Sequence, residues 1–178
     1  MNYHFKQWLI SFKHFVLMCL LKSGPDRLPG GVQNILLSLF CYCLVGFALV
    51  DEQRSYSTIL QQIGLELLLL ALICYSGLKW KDLLPRFTQT FSALLGVNII
   101  ISAASILVYR MLLQDDAGTG EFDRTALNAT MVIVIWSVVV MSTIFKKAFE
   151  INTPLAFMIS ILNFFIYQFI VFWLFLKV

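Results

Sequence analysis

The feature that most constrains the fold of this chain is a set of five long apolar segments. They lie at about 32–50, 59–78, 87–109, 126–145 and 155–176 and contain 19 to 23 residues each. A helix needs about 20 residues to cross the roughly 30 Å hydrocarbon core of a bilayer. Each segment is therefore predicted to cross a membrane once as an α-helix.

The composition supports the same fold class. Hydrophobic residues make up 60% of the chain and charged residues 13%, whereas soluble domains have about 45–50% and about 25%. These values argue against a soluble enzyme, and the lack of period-2 alternation argues against a membrane barrel. We predict an all-α polytopic membrane bundle with two parts: residues 1–31 form an N-terminal helix and turn, and residues 32–178 form a five-helix transmembrane domain.

Basic residues are distributed unevenly between the two sides of the predicted bundle. Nine of the 13 lysines and arginines fall on the side that holds the N-terminus, and four fall on the opposite side together with six acidic residues. Because Lys and Arg are retained in short cytoplasmic loops, we predict a cytoplasmic N-terminus and a C-terminus on the opposite side. The compact loops favour a bacterial inner membrane. The nine basic residues are Lys6, Lys13, Lys22, Arg27, Lys79, Lys81, Arg86, Lys146 and Lys147.

Residues 3–21 have a pattern unlike that of the spans. Apolar residues recur every three or four positions, and Lys6 and Lys13 lie largely on the other side, as in an amphipathic helix. Such a helix either lies in the headgroup plane, with Lys6, Lys13 and Lys22 contacting anionic lipid, or docks on the bundle. A secretory signal is disfavoured because Lys22, rather than small residues, follows the apolar run.

Glu66 is the ionisable residue that lies well inside a predicted span. A carboxylate at that depth costs several kcal/mol unless it is neutralised or paired, which makes Glu66 a candidate functional residue. It is either a protonated structural group that hydrogen-bonds a neighbouring helix or a proton or cation relay. Other polar residues are predicted at or near the same depth, and together with Glu66 they form the predicted polar cluster: Ser102, Tyr167, Gln168, Asn98 and Asn163.

Small residues on two of the spans predict close helix packing. Ser92, Gly96 and Ala103 share one face of the third span, and Gly64 and Ala71 are placed similarly on the second. Small side chains let helix backbones approach closely in membranes. The third span is therefore expected to be central in the bundle.

Motifs for catalysis and for cofactors are lacking in the sequence. It contains no nucleophile motif, phosphate-binding loop or dinucleotide fingerprint. The two histidines lie in the N-terminal segment, and the four cysteines contain no C-x-x-C pair. We therefore predict no catalytic, cofactor or metal site, and nucleic acid is not an expected partner.

The turn Gly24-Pro-Asp-Arg-Leu-Pro-Gly-Gly31, combined with five spans and a cytoplasmic N-terminus, resembles the Yip family of small five-span membrane proteins. The likeness covers the whole chain in layout and residues 24–31 in sequence. It implies a five-span helical fold and a role in vesicle traffic or one like that of the bacterial relatives, which is mostly unknown. The long soluble N-terminal region and the Asp-Leu-Tyr-Gly-Pro signature of the eukaryotic members are missing, and no family site is carried over.

The preferred prediction is a non-enzymatic scaffold or accessory subunit, and a transporter or channel is the alternative to it. Short loops and packing faces favour a non-enzymatic scaffold or accessory subunit that contacts other membrane subunits or further copies of this chain. Glu66 favours a small oligomeric transporter or channel. An enzyme that acts on lipid is the third interpretation, although no acid/base pair is in reach.

Overall fold

The computed structural model describes the backbone of residues 3–48, 56–115 and 124–175, and the side chains of residues 8–48, 56–108 and 124–174. Six α-helices make up most of these ranges, and two short 3-10 helices, Pro25–Arg27 and Leu84–Arg86, precede the second and fourth of them. The α-helices are α1 (Tyr3–Cys19), α2 (Val32–Ala48), α3 (Tyr56–Trp80), α4 (Phe87–Asp115), α5 (Arg124–Phe149) and α6 (Thr153–Phe175).

Four helices, α3 to α6, are long and apolar enough to cross a membrane. They contain apolar spans of 22 to 26 residues, and an 18-residue stretch of each has a mean hydropathy between 1.8 and 2.2. This confirms the helical fold class and indicates an integral membrane protein. α2 is apolar but has 17 residues in the described range, and the last two residues of its predicted span lie outside that range. The fifth crossing therefore stays a prediction.

α4 occupies the centre of the bundle and packs against α1, α2, α3 and α5. Of its apolar stretch 44% is buried, compared with 11% to 22% for the other three long helices. Ala93, Leu94, Leu95 and Val97 form a fully buried run on successive faces. Such a run requires neighbours all around the helix.

The helices α3, α4, α5 and α6 meet at one end of the bundle, which we call the basic end and define by residues 22–31, 79–86 and 146–153. Three chain reversals in or next to these segments use non-glycine residues in the left-handed region: Leu21 with φ 63°, Asp82 with φ 56° and Glu150 with φ 53°. Each follows a helix end whose carbonyls are capped by later backbone N–H groups, as in Leu83 N to Leu78 O at 2.8 Å. Glycine is the residue that normally occupies this position, because it has no Cβ to clash.

Glycine at a left-handed position such as Asp82 should stabilise the protein, because it removes the steric strain of the Cβ. We expect Asp82→Gly to exceed Asp82→Ala in stability by about 1 kcal/mol, because both remove the exposed carboxylate and glycine alone removes the Cβ clash. Thermal unfolding of the purified variants in detergent measures the difference. Equal melting temperatures for the glycine and alanine variants would contradict the left-handed conformation of residue 82.

The apolar core fills the half of the bundle nearer the basic end. The rings of Phe145 and Phe149 stack with centroids 5.3 Å apart and are 0% and 1% exposed. A Cβ added to Gly77 would lie 2.5–2.8 Å from the ring of Phe149, so that this ring of α5 packs directly on α3 at the glycine. Leu78 and Leu94 complete this part of the core and are also fully buried.

α1 docks on the bundle, which is one of the two placements that its sequence pattern allows. The ring of Phe15 lies directly against Gly96 in the middle of α4, where any added Cβ would overlap it. Trp136 Nε1 of α5 donates a hydrogen bond of 3.0 Å to the carbonyl of Cys19, which α1 itself leaves without a partner at its C-terminus. Phe15, Met18 and Cys19 are buried in the main core. The expectation of a helix lying only in the headgroup plane therefore does not describe this half of α1.

The outward face of α1 is also mainly apolar. Leu9, Phe12 and Leu20 are 52%, 41% and 56% exposed, and Lys13 lies among them. A helix with one face in the protein core and another apolar face outside is suited to contact with lipid chains. The outward face of α1 is therefore suited to an apolar environment.

Candidate intramembrane binding site

Glu66 lies near the middle of α3, about 15 Å along the helix from Tyr56 and about 21 Å from Trp80 at 1.5 Å per residue. It borders a cavity of about 180 Å³, which is partly open and large enough for several water molecules. All four long helices contribute to its walls. The cavity is thus enclosed by the part of the fold that is suited to cross a membrane.

Polar groups line a large share of this cavity. Eight of the lining residues carry a polar side chain, and the remaining ones are apolar. Among the described residues that form the walls, none is basic. The polar lining residues are Glu66, Asn98, Ser102, Ser137, Ser160, Asn163, Tyr167 and Gln168.

The carboxyl group of Glu66 has a hydrogen-bond partner in a helix outside the four-helix set. The hydroxyl of Tyr42 in α2 is placed to donate to it, and Tyr42 is 5% exposed. α2 packs on α4 and α3, and this packing brings Tyr42 behind Glu66. A phenol can orient a carboxyl group without neutralising its charge. The arrangement therefore fixes Glu66 and leaves its charge to be balanced by a proton or a cation.

Asn98 has an unsatisfied donor at the wall of the cavity. It is 7% exposed, and its side-chain nitrogen has no hydrogen-bond partner among the described residues. A buried amide N–H without a partner costs about 1–3 kcal/mol, and buried polar groups are normally paired with protein or ordered water. Water or a polar ligand in the cavity would meet this requirement.

The structure brings the six residues of the predicted polar cluster together around this one cavity. Gln168 is exposed and lies on its open side, whereas Asn98 is the most buried of the six. Three further residues of this site are not among those predicted from the sequence: Tyr42, Ser137 and Ser160. Ser160 lies one helical turn before Asn163, a spacing that puts both on one helix face and could have identified it.

The residues of the predicted packing faces occupy different environments. Ser92 and Gly96 are buried, and Gly96 receives Phe15 of α1 rather than a spanning helix. Gly64 and Ala103 are exposed, and an added Cβ on Gly64 would meet nothing within 4 Å. Ala71 is half-buried. The close approach of α3 to a neighbour instead uses Gly77.

Two of the three lysines predicted to contact lipid headgroups lie among the described side chains. Lys13 and Lys22 are exposed on α1 and on the turn after it, and the side chain of Lys6 lies outside the described part. Residues 49–55 and 116–123, which include most of the acidic residues counted for orientation, lie outside it as well. Within the described residues, no group of three or more His, Cys, Asp or Glu side chains could hold a metal ion.

Comparisons of the chain with protein-family models, with characterised proteins and with solved structures found no match. The geometry of the cavity therefore carries the functional interpretation.

Proposed function

We propose that the protein is a small transporter or channel that binds a proton or a small cation at Glu66 and works as an oligomer. The observation that carries this proposal is the cavity of about 180 Å³ among α3, α4, α5 and α6, with one carboxyl group and no basic side chain on its described walls. An ionisable residue inside a membrane is rare and marks ion pathways and proton relays. The polar lining supplies oxygen atoms that suit a hard cation or its water shell.

The lining favours a cation over an anion. Glu66 supplies the charge, and serine, tyrosine, asparagine and glutamine oxygens surround it. Amide nitrogens and hydroxyls could also bind an anion, but the carboxylate would repel it. Ammonium-type cations and hydrated monovalent metal ions therefore fit the chemistry of the site.

An ion pathway from the cavity to the basic end is not open in this structure, so that the helices must move or several copies of the chain must assemble to complete it. Below the cavity, the stacked rings of Phe145 and Phe149 and the buried Leu94 fill the bundle toward the basic end. An ion cannot cross such dry packing without a large cost. Alternating access within the chain, or a pathway between copies, would open this half.

Purified protein in liposomes tests the proposal. We expect influx of protons, sodium, potassium or methylammonium above the rate of protein-free vesicles, measured with internal dyes sensitive to pH, sodium and potassium and with labelled methylammonium. The same assay over a range of protein-to-lipid ratios reports whether activity depends on oligomers. Influx at the protein-free rate for all four cations would contradict the proposal.

A scaffold or accessory subunit is the second candidate, and one surface feature favours it. Gly64 lies between the exposed Leu60 and Leu68, one turn away on each side, and leaves a shallow notch on the outer face of α3. Such a notch permits close approach of another membrane helix. A Gly64→Leu variant that loses a co-purifying subunit while keeping cation influx would support this role, and retention of the subunit would oppose it.

Orientation and location belong to the same proposal. The basic end carries Lys79, Lys81, Arg86, Lys146 and Lys147, and positively charged short loops favour the cytoplasmic side. We place the basic end in the cytoplasm of a bacterial inner membrane. Kinship with the Yip family stays a prediction from the layout of the chain.

A further inference from the structure

A second pocket, remote from Glu66, lies at the basic end. It has a volume of about 350 Å³ and is lined by seven residues. Four of them are basic and one is acidic, so that the formal net charge of the lining is +3. The lining residues are Lys22, Ser23, Gly24, Asp26, Arg27, Arg86 and Lys147.

Contacts between distant parts of the chain fix the shape of this pocket. Lys147 Nζ, at the end of α5, donates a hydrogen bond of 2.8 Å to the carbonyl of Ser23. Arg86, just before α4, forms an ion pair of 2.7 Å with Glu150. The backbone at Gly24 packs against Lys147 so closely that an added Cβ would lie 2.7 Å from its Cδ. The basic groups are therefore held together by the turn after α1 and are not scattered over a free surface.

The donors in the pocket exceed the acceptors that the protein offers them. Within the described ranges, no carboxylate forms an ion pair with Lys22, Arg27 or Lys147. Lys147 has three N–H donors and Ser23 uses one of them, while Arg86 has five and Glu150 accepts from one of its nitrogens. Converging ammonium and guanidinium groups of this kind match the oxygens of a phosphate group.

We propose that this pocket binds a phosphate group, supplied by an anionic phospholipid headgroup or by a soluble phosphate. The lipid source has structural support, because Leu20 and Leu21, next to Lys22, are 56% and 47% exposed and offer an apolar surface for an acyl chain. A phospholipid would thereby join its headgroup contacts to chain contacts beside α1. A soluble phosphate would use the headgroup contacts alone.

Short-chain phosphatidylglycerol, titrated into the detergent-solubilised protein in a calorimeter, tests the proposal without the surface charge of a bilayer. We expect saturable binding, and Arg27→Gln/Arg86→Gln should weaken it about thirtyfold through the loss of two converging charges. The matched control is Lys79→Gln/Lys81→Gln, which removes two charges at the same end outside the pocket and should weaken binding by less than about threefold.

Further ligands distinguish the two sources. Glycerol 3-phosphate and inorganic phosphate carry the anion without acyl chains, and short-chain phosphatidylcholine carries the chains with a neutralised headgroup. Weaker binding of all three than of phosphatidylglycerol assigns the lipid source, and equal binding of glycerol 3-phosphate assigns a soluble one. The proposal is overturned if no anion binds, or if the pocket and control variants lose affinity equally while both keep the melting temperature of the native protein.

Discussion

Glu66→Gln should reduce cation influx into liposomes by about two orders of magnitude, to near the protein-free rate. The substitution keeps the size and the hydrogen-bonding capacity of the side chain, so that the contact with Tyr42 can persist. It removes the negative charge on the walls of the cavity. A hydrogen bond or ion contact to a charged group contributes up to about 3 kcal/mol, which corresponds to roughly a hundredfold in binding.

Two further variants show whether the charge of Glu66 itself is required for cation influx. Glu66→Asp keeps a carboxyl group and should retain measurable influx. Gln61→Leu removes an exposed polar side chain of α3 that lies outside the cavity lining, and it should leave the rate unchanged. Full influx in Glu66→Gln would refute the relay and leave Glu66 the structural role of a protonated group that bonds to α2.

Gly96→Ala should lower the stability of the folded protein by about 2–3 kcal/mol, through overpacking in a closely packed core. The added methyl group would overlap the inner atoms of the Phe15 ring, which lie near the backbone of α1 and cannot rotate away. Phe15 is 3% exposed and has core neighbours on its other sides. Relief therefore requires displacement of α1, which also strains the bond from Trp136 to Cys19.

Thermal unfolding in detergent measures this effect, with a drop of roughly 5–10 °C expected. Gly64→Ala is the matched control, because an added Cβ there meets nothing within 4 Å, and it should be neutral or slightly stabilising. Phe15→Ala should make the protein less sensitive to Gly96→Ala, since the two groups no longer collide. If Gly96→Ala is as stable as Gly64→Ala, the docked position of α1 is wrong.

Cys19 provides an independent readout of the same displacement. Its side chain is 3% exposed in the core, where a thiol is protected from reagents. In a background in which Cys41 and Cys43 are replaced by alanine, Gly96→Ala should accelerate maleimide labelling at Cys19. The buried Cys74 reports any general loosening of the bundle.

Helix positions and depths could be predicted from the sequence because they depend on local pattern. The apolar runs locate α3 to α6 within a few residues, and a rise of about 1.5 Å per residue places Glu66, Ser102 and Gln168 at similar depths. Depth does not determine which way a helix face points, since helix rotation is fixed by neighbouring side chains. Tyr42 and Ser137 were therefore not identifiable, although each lies near the middle of an apolar helix.

The placement of α1 could not be predicted for a related reason. Its apolar and basic residues predict a helix at an interface, but its partner surface is made of Gly96 and Trp136, far along the chain. Nothing near residue 15 in the sequence indicates that a glycine notch is available for its ring. The basic pocket depends on the same docking, because it is the turn after α1 that brings Lys22 and Arg27 to Arg86 and Lys147.

The packing of Phe15 on Gly96 also determines when α1 can dock during synthesis of the protein. The ribosome makes α1 before α4 and α5, and the groove that receives α1 exists only after those two helices have been made and inserted. Until then α1 has no docking surface on the protein, and an amphipathic helix with lysines can bind at the membrane surface. The amphipathic pattern thus suits the stage before docking, and the buried face suits the finished protein, in which α1 packs on helices that are synthesised after it.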